Sequence, residues 1–354
     1  MLMHSNSRAP ARIDFAGGWT DVPMFAQEIP GAVLNATINL YSYVTICNVP
    51  KKESVVSKYG YNCKEEQENR QITMYSADFD LYESANDVRN IEYNGNIDLV
   101  KAAIKRLNVE YGLDVMTRSE APPGSGLGTS ASMGVALIGA LAKNMDVFYL
   151  PNEIAELAVK LETEELGIFS GKQDHYAAAL GGFNFMRFDG EIVSSSIMRI
   201  PEDVTLNLEK NSVLVYTGKS RLSSNIHEHV INSFKKGKNK TALEGLVRVA
   251  EEMKAVLANG NLVDFGQLLL DNWKYQKDMH PSITNEQIDN LFEIAINNGA
   301  LGGKACGAGG GGCLYFYCKD NTEHKVRKAL EGASARILNF HFEFNGLQTW
   351  SVNE

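Results

Sequence analysis

Apolar positions along the chain follow two periods, and segments of the two kinds alternate. Ile13 to Ala16 reads as a strand that runs into the turn Gly17-Gly18. Ala32 to Asn48 is rich in β-branched and aromatic residues, with Leu40 to Cys47 as its strongest strand. Residues 51–71 are charged and polar, with Val55, Val56 and Tyr59 as apolar anchors, and predict a hairpin or irregular excursion. Asn96 to Tyr111 has helical period, placing Leu99, Ala102, Ala103 and Leu107 on one face. Asp114 to Ser119 is a short strand, and Met133 to Asn144 is a helix. A second helix starts at Pro151, with Asn152 as its expected cap, and Gly167 ends it. A shorter helix within Gly171 to Leu180 is closed by Gly181-Gly182. Phe183 to Phe188 and Ile192 to Ile200 then read as strands.

Pro201-Glu202-Asp203 reads as the join to a second half. That half predicts a strand at Ser212 to Tyr216 and helices near 224–235, 241–258, 262–277 and 284–298. A glycine-rich loop, a strand at 313–318, a helix at 322–333 and a strand at 337–344 close it. The mixture predicts an α+β protein of two domains, 1–200 and 201–354. The length of 354 residues suits two domains better than one.

Composition removes several function classes. The net charge of −9 argues against a nucleic-acid or anionic-membrane surface. The five cysteines include no Cys-x2-Cys pair, and the histidines cluster only as His227-x-His229. A structural zinc or a disulfide framework is therefore not expected. Met1 to Pro10 has no apolar signal core, and the longest apolar stretch, Met133 to Ala142, is too short to span a membrane. A cytoplasmic location is expected.

The chemistry begins at Pro122-Pro123-Gly124-Ser125-Gly126-Leu127-Gly128-Thr129-Ser130-Ala131-Ser132, directly before the helix at Met133. Small residues let backbone N–H groups approach an anion, and the helix adds its positive end. The hydroxyls of Thr129 and Ser130 stand where a magnesium ion bridging nucleotide phosphates needs an oxygen ligand. Other phosphate motifs do not fit. Gly218-Lys219-Ser220 ends like a Walker loop, but Val213 replaces its first glycine. Gly307, Gly309 and Gly312 have dinucleotide spacing but run into a strand rather than a helix. Asp264-Phe265-Gly266 lacks the other protein-kinase motifs. Asp174, after the turn Gly171-Lys172-Gln173, and Glu162, late on the preceding helix, can divide the tasks of metal ligand and acceptor base.

Three segments in this order resemble the GHMP small-molecule kinases: Ala9 to Asp21, Pro122 to Ser132 and Gly303 to Gly312. The resemblance implies a ribosomal S5 domain 2-like N-terminal domain and a ferredoxin-like C-terminal domain. It implies ATP and Mg2+, with Pro123 to Ser130, Gly309 and Gly310 at the nucleotide. Asp174 falls on the catalytic aspartate, Arg12 beside it, and Ser130 and Glu162 on the metal ligands. Asp21, Trp19 and Gly18 fall on the acceptor turn, where Gly17-Gly18-Trp19 replaces the Gly-Glu-His of galactokinases. The branches that phosphorylate heptose 7-phosphate and L-fucose are most similar. The first implies C-1 phosphorylation of D-glycero-D-manno-heptose 7-phosphate, for nucleotide-heptose synthesis. Lys172, Lys219 and Arg221 are the expected cations for the substrate's own phosphate. Each of these residues also has a structural alternative: Trp19 could stack on a sugar or pack beneath the cradle. A non-catalytic sugar or nucleotide sensor, and a homodimer, stay open.

Overall fold

Strand alternation in the first 200 residues builds one sheet around the longest strand. The computed structural model describes residues 3–48, 52–58, 61–67, 70–218 and 223–353. Its first part contains β1 (Met3–Ala16), α1 (Pro23–Ala26), β2 (Gly31–Asn48), β3 (Lys52–Lys58), β4 (Tyr61–Gln67), β5 (Ile72–Ser76) and β6 (Leu81–Ala85). Then come α2 (Asp98–Arg106), β7 (Leu113–Ser119), α3 (Thr129–Asn144), α4 (Pro151–Lys160), α5 (Gln173–Leu180), β8 (Phe183–Asp189) and β9 (Ile192–Met198). The sheet order is β14-β1-β2-β7-β5-β6, with β8 also on β2 and β9 on β8; β14 is the chain's last strand, Gln348–Asn353. β2 holds two neighbours on one edge because of its length: Gly31 to Ala36 pair with β8, and Ser42 to Asn48 with β7. In β7, Leu113, Val115 and Thr117 face the core while Asp114, Met116 and Arg118 face out, the period-2 pattern of a sheet covered on one face. The excursion at 51–71 contains the antiparallel pair β3–β4.

The second part contains α6 (Glu202–Lys210), β10 (Ser212–Tyr216), α7 (Ser223–Lys235), α8 (Lys240–Ala258), α9 (Leu262–Met279) and α10 (Glu286–Asn297). β11 (Ala300–Ala305), β12 (Cys313–Cys318), α11 (Glu323–Gly332) and β13 (Arg336–Leu338) complete it. Its antiparallel sheet runs β11-β12-β10-β13. Every residue of β12 is buried, which suits a central strand covered on both faces. The halves share a core. Phe15 of β1, fully buried, meets Phe183, Phe265, Tyr315 and Phe342 at ring-centroid distances of 5.3–6.3 Å. Burying one such ring contributes about 1.5–3 kcal/mol. Among the described residues no helix is long and apolar enough to cross a membrane.

Several expectations shift. Asn152 does not cap α4: Leu150 is the N-cap, Pro151 takes the first turn, and Glu153 accepts the Leu150 N–H at 2.7 Å. α6 lies where only a join was expected; it buries just Thr205 and Leu208, too few positions to show a period. β5, β6 and β11 were not foreseen. The expected strand at 337–344 is three residues long. The chain then crosses back: Glu343 N–H donates to Thr37 O at 2.9 Å, and β14 pairs with β1. The last residues of the segment 201–354 thus complete the first sheet.

Candidate active site

The cradle hangs between β7 and α3. Gly126 and Gly128 have φ of +75° and +72°, a left-handed conformation that side chains other than glycine resist. No side chain caps α3, so its first N–H groups and its dipole remain for an anion. Within the cradle Pro123, Gly124 and Ser130 are exposed, whereas Ser125 and Leu127 are buried. Leu127 serves the core with its side chain and holds Arg12 with its carbonyl, which accepts the Arg12 backbone N–H at 2.9 Å. Thr129 Oγ1 lies 3.2 Å from Ser125 Oγ.

Arg12 joins all three glycine-rich segments. Its Nε and Nη2 each donate to one oxygen of Asp174 at 2.7 Å, a bidentate fork. Its Nη1 donates to Gly126 O at 2.6 Å and to Cys306 O at 3.2 Å. Burial works against this cation, but Asp174 and Asp14 outweigh it and raise its pKa. A Cβ on Gly128 would stand 3.2 Å from the Asp174 carboxyl, so the cradle's last turn rests on that carboxylate.

Ser130 and Glu162 also meet. Ser130 Oγ–H donates to Glu162 Oε1 at 2.5 Å. Glu162 sits in a π-helical turn, Leu161–Glu165, that continues α4. Burial alone would push its carboxyl up; His175 and the Ser130 hydroxyl pull it down to about 2. His175, 1% exposed, places Nε2 3.4 Å from Glu162 Oε2, an ion pair without hydrogen-bond geometry. Burial lowers and Glu162 raises the imidazole pKa, and the raised direction prevails. Consecutive residues of α5 therefore serve two carboxylate centres: Asp174 meets Arg12, and His175 meets Glu162. The pair of an exposed hydroxyl and an ionised carboxylate fits magnesium, which takes few protein ligands and completes its shell with phosphates and water.

Asp21 accepts the Gln173 N–H at 3.1 Å, at the start of α5. Its carboxyl would lie 2.0 Å from a Cβ on Gly171, so glycine there lets the turn and the loop close on each other. Burial and then the charge of Asp174 raise Asp21 to about 7. A Cβ on Gly18 would fall 2.2 Å from Asp14 Oδ2.

Other expectations need correction. Lys172 does not present an unpaired cation to a substrate phosphate. Its Nζ is buried against Glu191 Oε2 at 2.9 Å, Glu191 O at 2.8 Å and Glu156 Oε1 at 3.5 Å, so its charge is already met. Trp19 is 7% exposed and edges onto His227 at 4.9 Å, so it packs rather than presenting a face to a sugar. Gly309 and Gly310 turn from the cradle: a Cβ on Gly309 would meet Ile283 O at 2.5 Å, and Gly310 N–H donates to Ile283 O at 2.7 Å. Gly307 and Gly312 are the glycines of that loop that abut Gly126 and Ser125. Lys219 and Arg221 lie outside the described residues. Sequence reasoning missed His175, Asp14 and Lys304; adjacency to Asp174 and membership of the glycine segments were the available signals.

Comparison with known proteins identifies the family and the fold. The description "GHMP kinases N terminal domain" matches residues 98–182, and "GHMP kinases C terminal" matches residues 253–335. The D-glycero-alpha-D-manno-heptose 7-phosphate kinase of Campylobacter jejuni is 30% identical over 352 residues, covering 98% of each chain. The bifunctional fucokinase/GDP-fucose pyrophosphorylase of Arabidopsis thaliana is 26% identical over 97% of this chain but 32% of its own length. A crystal structure described as a D-glycero-D-manno-heptose 1-phosphate kinase from Bacteriodes thetaiotaomicron superposes with a TM-score of 0.78. It is 27% identical and covers 99% of this chain and all of its own.

Proposed function

The chain belongs to the GHMP kinase family of ATP-dependent phosphotransferases, and we propose that it phosphorylates the C-1 hydroxyl of D-glycero-D-manno-heptose 7-phosphate. The observation that carries this reading is the full-length match, at 30% identity, to a heptose 7-phosphate kinase. The acceptor turn Gly17-Gly18-Trp19 supports it, since it departs from the Gly-Glu-His of galactokinases. The reaction belongs in the cytoplasm, where it would feed nucleotide-heptose synthesis.

In this reading the N–H groups at the start of α3 hold the transferred phosphate. Asp174 accepts the proton of the acceptor hydroxyl as its oxygen attacks the γ-phosphorus and ADP leaves. Arg12 holds both oxygens of Asp174 and fixes the orientation of the carboxylate. Its remaining charge offsets the negative charge that gathers on the transferring group. Asp21 holds the sugar through its hydroxyls. Ser130 and Glu162 would hold a magnesium ion, which when bound neutralises phosphate charge. Retention of Arg12, Ser130, Glu162 and Asp174 in contacting pairs supports an enzyme over a sensor.

The test compares kcat/KM for ADP release with heptose 7-phosphate, free heptose, L-fucose and galactose. Heptose 7-phosphate should lead by roughly one to two orders of magnitude, the value of about 1.5–3 kcal/mol from a charge-assisted contact to the distal phosphate. A preference for L-fucose would move the chain to the fucokinase branch.

A further inference from the structure

Two charged side chains with no part in the transfer chemistry are among the most deeply buried in the molecule. Lys304 is 0% exposed and Asp14 is 2% exposed. Lys304 Nζ donates to Asp14 Oδ2 at 2.7 Å and to the Asp14 carbonyl at 2.9 Å. Asp14 Oδ1 has no hydrogen-bond partner among the described residues. A buried ion pair loses about as much on leaving water as it gains from attraction, so apolar side chains of similar shape would serve stability equally well. An unpaired buried oxygen adds to that cost. Stability therefore does not explain the pair.

Its place in the fold does. Asp14 lies two residues beyond Arg12 on β1, and Cys306 lies two residues beyond Lys304, just past β11. With the strand period of two, Arg12 and Asp14 lie on one face of β1. Arg12 reaches the Cys306 carbonyl, and Lys304 reaches Asp14. These are successive rungs between the N-terminal and C-terminal halves. The Asp14 carboxylate also packs on the backbone of Gly18, in the turn that carries Asp21. Beyond Cys306 the same segment supplies Gly307 and Gly312, which abut the cradle.

We infer that Asp14 and Lys304 are positioning residues for the transfer step, their ion pair holding β1 and β11 in the alignment that lets Arg12 grip Asp174 and the Cys306 carbonyl together. The inference does not depend on which sugar is the acceptor. Misplacing a reacting group by about 1 Å costs on the order of 10²-fold in rate. The paired replacement Asp14→Leu with Lys304→Met keeps the branched and linear shapes and removes both charges. It should leave the melting temperature within a few degrees of the wild type and lower kcat about 10- to 100-fold. KM for ATP and for the sugar should change by less than about threefold, because both side chains are closed off from the surface. Asp14→Asn keeps one oxygen for Lys304 and should lower kcat about fivefold with both KM values unmoved. The assay uses heptose 7-phosphate, or L-fucose if only that sugar turns over, so that an error in the acceptor does not hide the result. Wild-type kcat in either variant would overturn the inference. So would a loss confined to KM for ATP, which would assign the pair to seating the cradle alone.

Discussion

Asp174 gives up freedom on both oxygens to Arg12, and the proposed role of acceptor base is tested at this residue. Asp174→Asn keeps the shape of the side chain and removes the base. Turnover should fall by about two to four orders of magnitude while ATP binding, followed by titration calorimetry, stays within a few-fold; wild-type turnover would make the residue structural. Asp21 makes a second residue-scale prediction. Its carboxyl stands at about 7, above the ordinary 3.8. The folded state therefore holds an extra proton between about pH 4 and 7, and stability falls as pH rises through that window. Asp21→Asn removes the penalty. The variant's melting temperature should gain several degrees on the wild type at pH 8 and little at pH 4, and an equal gain at both would contradict the shift. The structure brings Arg12 to Asp174 and Ser130 to Glu162; Arg12, Ser130 and Asp174 lie in or beside glycine-rich segments that drew attention in the sequence, whereas Glu162 lies late on the preceding helix. The pairing of Lys172 was not legible because sequence cannot show that Glu156 and Glu191, at distances of 16 and 19 positions, fold back onto it.

Among the elements, the third glycine segment does its work by contact with the second. A Cβ on Gly312 would lie 2.6 Å from Ser125 O, on a residue with φ of +78°. Gly312→Ala should push the cradle aside and raise KM for ATP at least about tenfold, since misplacing a binding group by about 1 Å is costly. KM for the sugar should move much less, and steady-state kinetics with each substrate varied in turn separates the two. The long helices were legible from periodicity over many residues, and β2, β10 and β12 from runs of β-branched and aromatic residues. α6 was not, because an element that buries only two side chains leaves no period to read. The π turn that aims Glu162 at Ser130 was equally hidden, since one extra residue in a helical turn has no composition of its own.

On the scale of the whole molecule, the halves are joined by a shared aromatic core, by Arg12 and by the return of β14 to β1. They should unfold together. Phe15→Ala should cost about 3–5 kcal/mol and lower the melting temperature in a calorimeter without splitting a single transition; two separate transitions would show independent halves. The α+β class was legible because segments of strand and helix period alternate along the chain. The crossing of 339–347 was not, because its pairing with β2 and α5 joins residues some 300 and 160 positions apart. The central claim is that this active site places a phosphate on the anomeric oxygen of a sugar that already carries one. Phosphorus NMR of the enzyme with ATP, magnesium and D-glycero-D-manno-heptose 7-phosphate tests it most directly. A second sugar phosphorus signal, coupled to the anomeric proton and growing in step with ADP, is the expected result. An unchanged heptose 7-phosphate spectrum, under conditions where L-fucose is phosphorylated, would contradict it.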